Sequence, residues 1–416
     1  MSIEASVQVR KRLVIYIQDF DPRGLTEYYQ IFLREFGRTC ELYRLSGKIG
    51  SVAENPKRFT ADWEVNTKGG GWQVDTRYMF MRWDDIINKD LDRPPWWKIV
   101  QMYRTTGVAI LNGVFRRVLR ADWRFGLFAI FPLLQITVWI FLGSLVDVLC
   151  MALVAALGAP SLVSKFVGAV TGIGGFASLL WLTEPITQLL YRCDAAATTN
   201  QLINRKRKDI EQRIDTFAGG VVDAVRASKA DEAIVVGHGY GAVLAIEVLG
   251  RALVRDPTLG QNGPRVALLT LGANLPVVGF DPEAKWFRNR LRQLAVATGI
   301  GWVDYQSRDD VLNFCPFDPV AGHDIFLEAD ERRNPQVVAI SFRDLWKSRS
   351  FGLRRWRFFK AHSQYLAANE RLGAAYDFYL ICCGPLDLVT RATQPQAAIT
   401  VLGVKNRPEV DPAPAH

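Results

Sequence analysis

Between Phe125 and Tyr191 the chain carries only three charged residues, Asp147, Lys165 and Glu184. Within that stretch two runs carry none: residues 125–146, "FGLFAIFPLLQITVWIFLGSLV", and residues 166–183, "FVGAVTGIGGFASLLWLT". A helix that crosses a bilayer needs about 20 mostly apolar residues, so both runs suffice, the second narrowly. Gly158-Ala159-Pro160 supplies a turn signal between them. The pattern predicts a two-helix transmembrane hairpin, and the alternative is a hairpin buried in a large soluble core. Apolar residues continue past Asp147 to Leu157, so the first run does not mark where its helix stops.

The flanking charge orients the hairpin. Arg116, Arg117, Arg120 and Arg124 precede it, and Arg192, Arg205, Lys206, Arg207 and Lys208 follow it, whereas the connection carries only Lys165. Positive charge on both outer flanks predicts cytoplasmic ends and a short loop outside. Gly168 and Gly172 form a G-x-x-x-G pair that lets two backbones approach closely. The net charge of +9 is explained by these clusters, which face anionic headgroups. Membrane lipids are therefore the expected partners, with an apolar acyl or lipid ligand, and no nucleic acid.

The segments on either side alternate between strand-like and helical patterns, as in a largely parallel α/β sheet with helices on both faces. "RLVIYIQDFDPRG" reads as a strand and turn, too short in its apolar part for a signal peptide. "TEYYQIFLREFG" reads as a helix stopped by Gly37, and "CELYRLSG" and "TRYMFMRWDD" as further strands. After the hairpin come a helix, "RKRKDIEQRIDTFAGGVVDAVRAS", and the strands "EAIVVGH", "RVALLTLGAN" and "GIGWVDYQ". The expected organisation is residues 1–122 as the first part of the α/β domain, 123–191 as the hairpin and 192–392 as the second part. Residues 393–416 then form a disordered tail. Six cysteines lack C-x-x-C spacing, which predicts a reducing compartment, inert thiols at Cys382 and Cys383, and no metal site or cofactor.

The stretch "VVGHGYGAVLAIEVL" carries the chemical signal. A strand enters a tight turn, Gly237-His238-Gly239-Tyr240-Gly241, and leaves as a helix, the layout of a nucleophile elbow. Its middle position, Gly239, has no side chain. The same glycines formally fit a dinucleotide fingerprint, but the next strand ends in "GANLP" with no acid for the ribose. A nucleophile of this kind is followed in chain order by an acid and a histidine. "SRDDVLNF" offers Asp310, with Asp309 second, and "KAHSQYL" offers His362 in a polar loop, with His323 as rival and His416 in the tail.

The set "VVGHGYGA", "LLTLGAN", "SRDDVLNF" and "KAHSQYL" resembles the α/β-hydrolase superfamily, in its bacterial esterase or lipase-like branch. That resemblance implies a serine at position 239, an acid at Asp310, a base at His362 and an oxyanion hole using the Tyr240 N–H. Two positions depart from it. Gly239 replaces the nucleophile, and Asp19 stands where relatives place a glycine, so that a carboxylate would repel a developing oxyanion. Glycine relieves the strained elbow backbone while removing the covalent route. With the resemblance, the expectation is a hydrolase-like protein anchored in a bacterial inner membrane with its main domain cytoplasmic, catalytically impaired and acting in binding or regulation. The alternative is an active hydrolase of lipid or acyl esters that uses His362 and Asp310 with an unconventional nucleophile or an activated water.

Overall fold

The computed structural model describes residues 9–347, 358–373 and 376–395. They fall into two compact units, one built from the residues up to Ile87 with those from Lys208 onward, the other Asn88–Arg207.

The first unit is an α/β unit around a mixed, mostly parallel sheet. Its strands are β1 (Lys11–Ile17), β2 (Ser46–Ile49), β3 (Ala53–Asn55), β4 (Thr60–Gly69), β5 (Trp72–Met81), β6 (Glu232–His238), β7 (Arg265–Leu271), β8 (Ile300–Ser307) and β9 (Gln336–Ile340). They lie in the order β2-β4-β5-β1-β6-β7-β8-β9, with β3 beside β4. All pairings from β5 through β1 to β9 are parallel, and β2, β3 and β5 meet β4 antiparallel. Strands β1, β6 and β7 are buried at nearly every position. Successive side chains point to opposite faces, so continuous burial means that both faces are covered.

Of the antiparallel half only β5 was legible, as "TRYMFMRWDD"; β3, β4 and their antiparallel pairing were not. β4 and β5 are joined by Gly70-Gly71, a two-residue hairpin turn with Gly71 at φ 87°. Helix α1 (Leu25–Tyr43) also corrects two expectations, because it runs through Gly37 and includes the first half of the "CELYRLSG" segment taken for a strand, of which only Ser46 and Gly47 enter β2. Its buried Phe32, Phe36, Thr39 and Tyr43 keep a helical stripe past the glycine, and that packing overrides the propensity signal. The helix ends at Arg44, in the left-handed conformation. Strand β9 was likewise missed. Residues 396–416, including His416, lie outside the described residues.

Helix α2 (Asp84–Leu91) leads out of β5. The second unit contains α3 (Pro95–Leu111), α4 (Val114–Ala121), α5 (Trp123–Ala156), α6 (Ser161–Thr187) and α7 (Leu189–Ile203). Asp122 caps α5 by accepting from the backbone N–H of Arg124 at 2.8 Å and Phe125 at 3.4 Å. α5 continues past Asp147 to Ala156, and Gly158, at φ 85°, turns the chain into α6. Both helices are long and apolar enough to cross a membrane, and only 6% and 11% of their most apolar windows are buried. Leu134, Phe141, Phe166 and Trp181 are among the side chains left exposed, which disfavours a soluble core. The helices pack where glycines remove side chains: a Cβ on Gly172 would come within 2.8 Å of the Gly143 carbonyl oxygen. Gln135 reaches across to the hydroxyls of Thr183 and Thr187, each at 3.2 Å.

Back in the first unit, α8 (Lys208–Ala227) precedes β6 and α9 (Gly241–Arg255) follows it, while α10 (Leu275–Gly279) and α11 (Lys285–Val296) lie between β7 and β8. The C-terminal segment is fastened to the start of the central strands by a buried ion pair, Arg12–Glu232 at 2.8 Å. Arg12 also donates to the carbonyls of Gly384 at 2.5 Å and Leu386 at 2.6 Å, and Glu232 accepts from Leu388 N–H at 2.8 Å. Cys382 and Cys383 are buried beside this strap, and burial pushes the Cys383 thiol up to about 12, as expected of inert thiols.

Asp377 caps the short helix Phe378–Cys383 from a fully buried position, and burial pushes its carboxyl up to about 6. Its unfolded value is about 3.9, so the protonated form supports the fold and stability falls as pH rises from about 4 to about 6. Asp377→Asn keeps the capping oxygen and removes the charge. Chemical unfolding at pH 4 and pH 7 is expected to show the variant gaining on the parent by at most about 3 kcal/mol at the higher pH. An unchanged difference between the two pH values would refute this.

Candidate functional site

The chain leaves β1 toward one side of the sheet, through β5 and β4, and returns after the helical unit to build the other side from β6 onward. In open α/β sheets the crevice at the carboxyl ends of strands on either side of such a reversal is the ordinary ligand site. Here that crevice is formed by Asp19, just beyond β1, and the turn Gly239-Tyr240 beyond β6.

Close backbone packing explains the local sequence. A Cβ on Gly237 would lie 2.5 Å from the Ala242 Cα, and one on Gly241 would lie 2.7 Å from the Ile17 carbonyl oxygen. Only glycine lets the start of α9 rest against the ends of β6 and β1. Gly239 has φ 55°, the left-handed conformation that disfavours a side chain. Gln18 fixes the neighbouring loop. Its side-chain amide donates to the carbonyls of Asp21 and Arg23, and its side-chain oxygen accepts from Trp83 N–H at 3.1 Å.

Asp19 is the residue around which the site is arranged. Its Oδ1 accepts from the backbone N–H of Tyr240 at 2.7 Å, Gly241 at 3.3 Å and its neighbour Phe20 at 2.8 Å. A Cβ at position 239 would stand 2.7 Å from its Oδ2 and 2.7 Å from His362 Nε2. The two departures seen in the sequence are therefore one event in space. The Asp19 carboxylate crowds the position a side chain at 239 would take, and it engages the amides at the start of α9. Burial pushes the Asp19 carboxyl up, while the charge of His362 and the N–H donors pull against it.

Asp310 and His362 come together. Asp310 is fully buried just after β8; its Oδ1 accepts from Leu312 N–H at 2.9 Å, and its Oδ2 accepts from His362 Nδ1 at 2.7 Å. His362 ends a short helix, Phe358–His362, and is buried, which corrects its expected place in a polar loop. Burial alone would lower the His362 pKa, but the charge and hydrogen bond of Asp310, with the charge of Asp19, leave it raised. Asp309 does different work, accepting from Ser341 Oγ at 3.1 Å and Phe342 N–H at 2.8 Å. His323 sits elsewhere, its ring against Phe280 and Phe317 and its Nδ1 on the Pro319 carbonyl at 2.7 Å.

His238 was read from the sequence only as part of the turn. Its ring stacks on His362 with centroids 4.2 Å apart, and its Nε2 donates to the His362 carbonyl at 3.0 Å. Its Nδ1 lies 3.7 Å from Asp19 Oδ2. Burial, and then the charge of His362, holds its pKa well below the ordinary value, so the ring is neutral. Period-two alternation along β6 would have found it, since it shares a face with Ile234 and Val236, which pack with Ala361 and Tyr365. Phe20, Trp83 and Tyr240 form an aromatic cluster at the turn, with the last two rings stacked at 5.8 Å. Comparison with models of known protein families, with curated proteins and with solved structures gives no match to this chain.

Proposed function

We propose that this is a membrane-anchored protein with an α/β-hydrolase-like domain that has given up serine chemistry. It acts in binding or regulation at the cytoplasmic face of a bacterial inner membrane, with membrane lipids and an apolar acyl or lipid ligand as partners. The observation that carries the proposal is Asp19. Its carboxylate takes the Tyr240 and Gly241 N–H groups, the donors that would stabilise an acyl oxyanion, and a negative charge there opposes the one that acyl transfer develops. The exposed apolar faces of α5 and α6, flanked by arginine and lysine, support the anchoring and its orientation.

The His362–Asp310 pair at 2.7 Å favours a second reading, a hydrolase of lipid or acyl esters in which this pair activates water. Fluorophosphonate labelling of the detergent-solubilised protein separates the two. The parent chain is expected to be silent. Gly239→Ser alone is also expected to be silent, because its Cβ meets Asp19 and His362 at 2.7 Å. The double variant Asp19→Gly/Gly239→Ser, which clears that contact and frees the N–H donors, is expected to label. Labelling of the parent would overturn the proposal. Silence of a folded double variant would remove the hydrolase-like assignment of His362 and Asp310.

A further inference from the structure

Three acceptor atoms converge beside Gly239, and each is held there by a separate structural cause. His362 donates its Nδ1–H to Asp310, so in the neutral ring Nε2 carries the lone pair, and a metal ion there takes the place of the Nε2 proton of the charged ring. His238 donates its Nε2–H to the His362 carbonyl, so its Nδ1 carries the lone pair. These two nitrogens lie 4.0 Å and 3.7 Å from the same oxygen, Asp19 Oδ2, and all three ligating atoms lie within 4.8 Å of one another. The separations are too long for a proton shared in a hydrogen bond, which needs about 2.7–3.2 Å. They are close to the spacing of neighbouring ligands on one ion: with bonds of about 2.1 Å, a tetrahedral edge is about 3.4 Å.

We infer that Asp19, His238 and His362 form a binding site for one divalent transition-metal ion. The inference goes beyond the hydrolase-like reading and does not rest on it. Two neutral imidazoles and one carboxylate suit zinc, cobalt or iron and not magnesium or calcium, which prefer oxygen donors. The outer contacts are those of metal centres. A carboxylate behind His362 and a backbone carbonyl behind His238 fix ring orientation and tautomer, and backbone N–H groups hold the remote oxygen of Asp19. Both histidine side chains are more than nine-tenths buried and Asp19 is 23% exposed; closing a set that spans up to 4.8 Å onto one ion takes a shift of the rings as well as of Asp19 Oδ2. Glycine at 239 supplies the room, because a Cβ there would fall 2.7 Å from two of the three ligating atoms. Three protein ligands leave a coordination position for water or a ligand oxygen. The cysteine spacing used to expect no metal carries no information about such a set, because none of its members is a cysteine.

The test uses the full-length protein in detergent, stripped with a chelator and titrated with Co(II). One equivalent is expected to bind, with the visible absorption of imidazole-ligated cobalt and a rise in melting temperature that grows with cobalt concentration. Asp19→Asn and His238→Gln are each expected to weaken binding about 100-fold or more and to abolish the melting shift. Melting curves without cobalt establish that each variant is folded, and either folded variant decides the matter. Absence of a bound equivalent in the parent chain would overturn the inference, as would binding that survives in the folded variants. Fluorophosphonate labelling reads serine chemistry alone, so its outcome and the cobalt outcome are separable.

Discussion

Arg12→Ala is expected to destabilise the α/β unit by about 3–5 kcal/mol, the usual cost of removing one partner from a buried ion pair. The loss has three parts. Glu232 is left as a buried carboxylate without its cation, the carbonyls of Gly384 and Leu386 lose their donor, and the strap over β1 and β6 is released. Arg12→Lys is expected to recover little, because one ammonium cannot span a carboxylate and two carbonyls as the planar guanidinium does. The measurement is urea unfolding followed by tryptophan fluorescence, since Trp63 and Trp302 are buried in the same sheet. A loss below about 1 kcal/mol would mean that the pair is solvated and the strap inessential. The site lies at the opposite ends of these strands, so cobalt binding by the folded fraction is expected to be unaffected.

Gly172→Leu is the second large effect, expected to cost the α5–α6 pairing about 1–3 kcal/mol or more by overpacking. A Cβ there would stand 2.7 Å from the Asp147 Cβ and 2.8 Å from the Gly143 oxygen, so the helices must separate. Separation also stretches the hydrogen bonds from Gln135 to Thr183 and Thr187. Gly174 provides the control: it lies two residues further along the same helix and would meet nothing within 4 Å. Unfolding with a denaturing detergent is expected to come earlier for Gly172→Leu and to be nearly unchanged for Gly174→Leu. Equal effects would show that helix propensity, and not the close approach, governs the pairing.

The parts of the fold legible in the sequence are those where pattern and environment coincide. "LVIYI", "AIVV" and "ALLTL" read as central strands because both of their faces are buried, and the two uncharged runs read as long helices because nothing polar interrupts them. Apart from β5, the antiparallel half was hidden because β4 mixes Asp62, Glu64 and Lys68 with Trp63 and Val65, a half-solvated face that resembles loop composition. At the site, Asp310 and His362 were found by order along the chain. His238 was missed because a histidine inside a glycine-rich turn reads as part of the turn. Asp19 was read as an obstacle to chemistry, and only the register of β1 beside β6 places its carboxylate on the Tyr240 N–H. No spacing rule links residue 19 to residue 240.

The place of the helical unit along the chain, between β5 and β6, has a consequence for biosynthesis. β1 hydrogen-bonds to β5 on one edge and β6 on the other, yet residues 82–231 separate those two partners in the chain. While the ribosome delivers the hairpin, the first half-sheet exists with the inner edge of β1 bare, an open template for wrong pairing. With the membrane anchoring proposed above, insertion precedes completion of the central sheet, and the crevice between Asp19 and Tyr240 is created last. The bare edge of β1 persists until β6 is synthesised, so the time spent on the helical unit sets how long the half-sheet is exposed to wrong pairing.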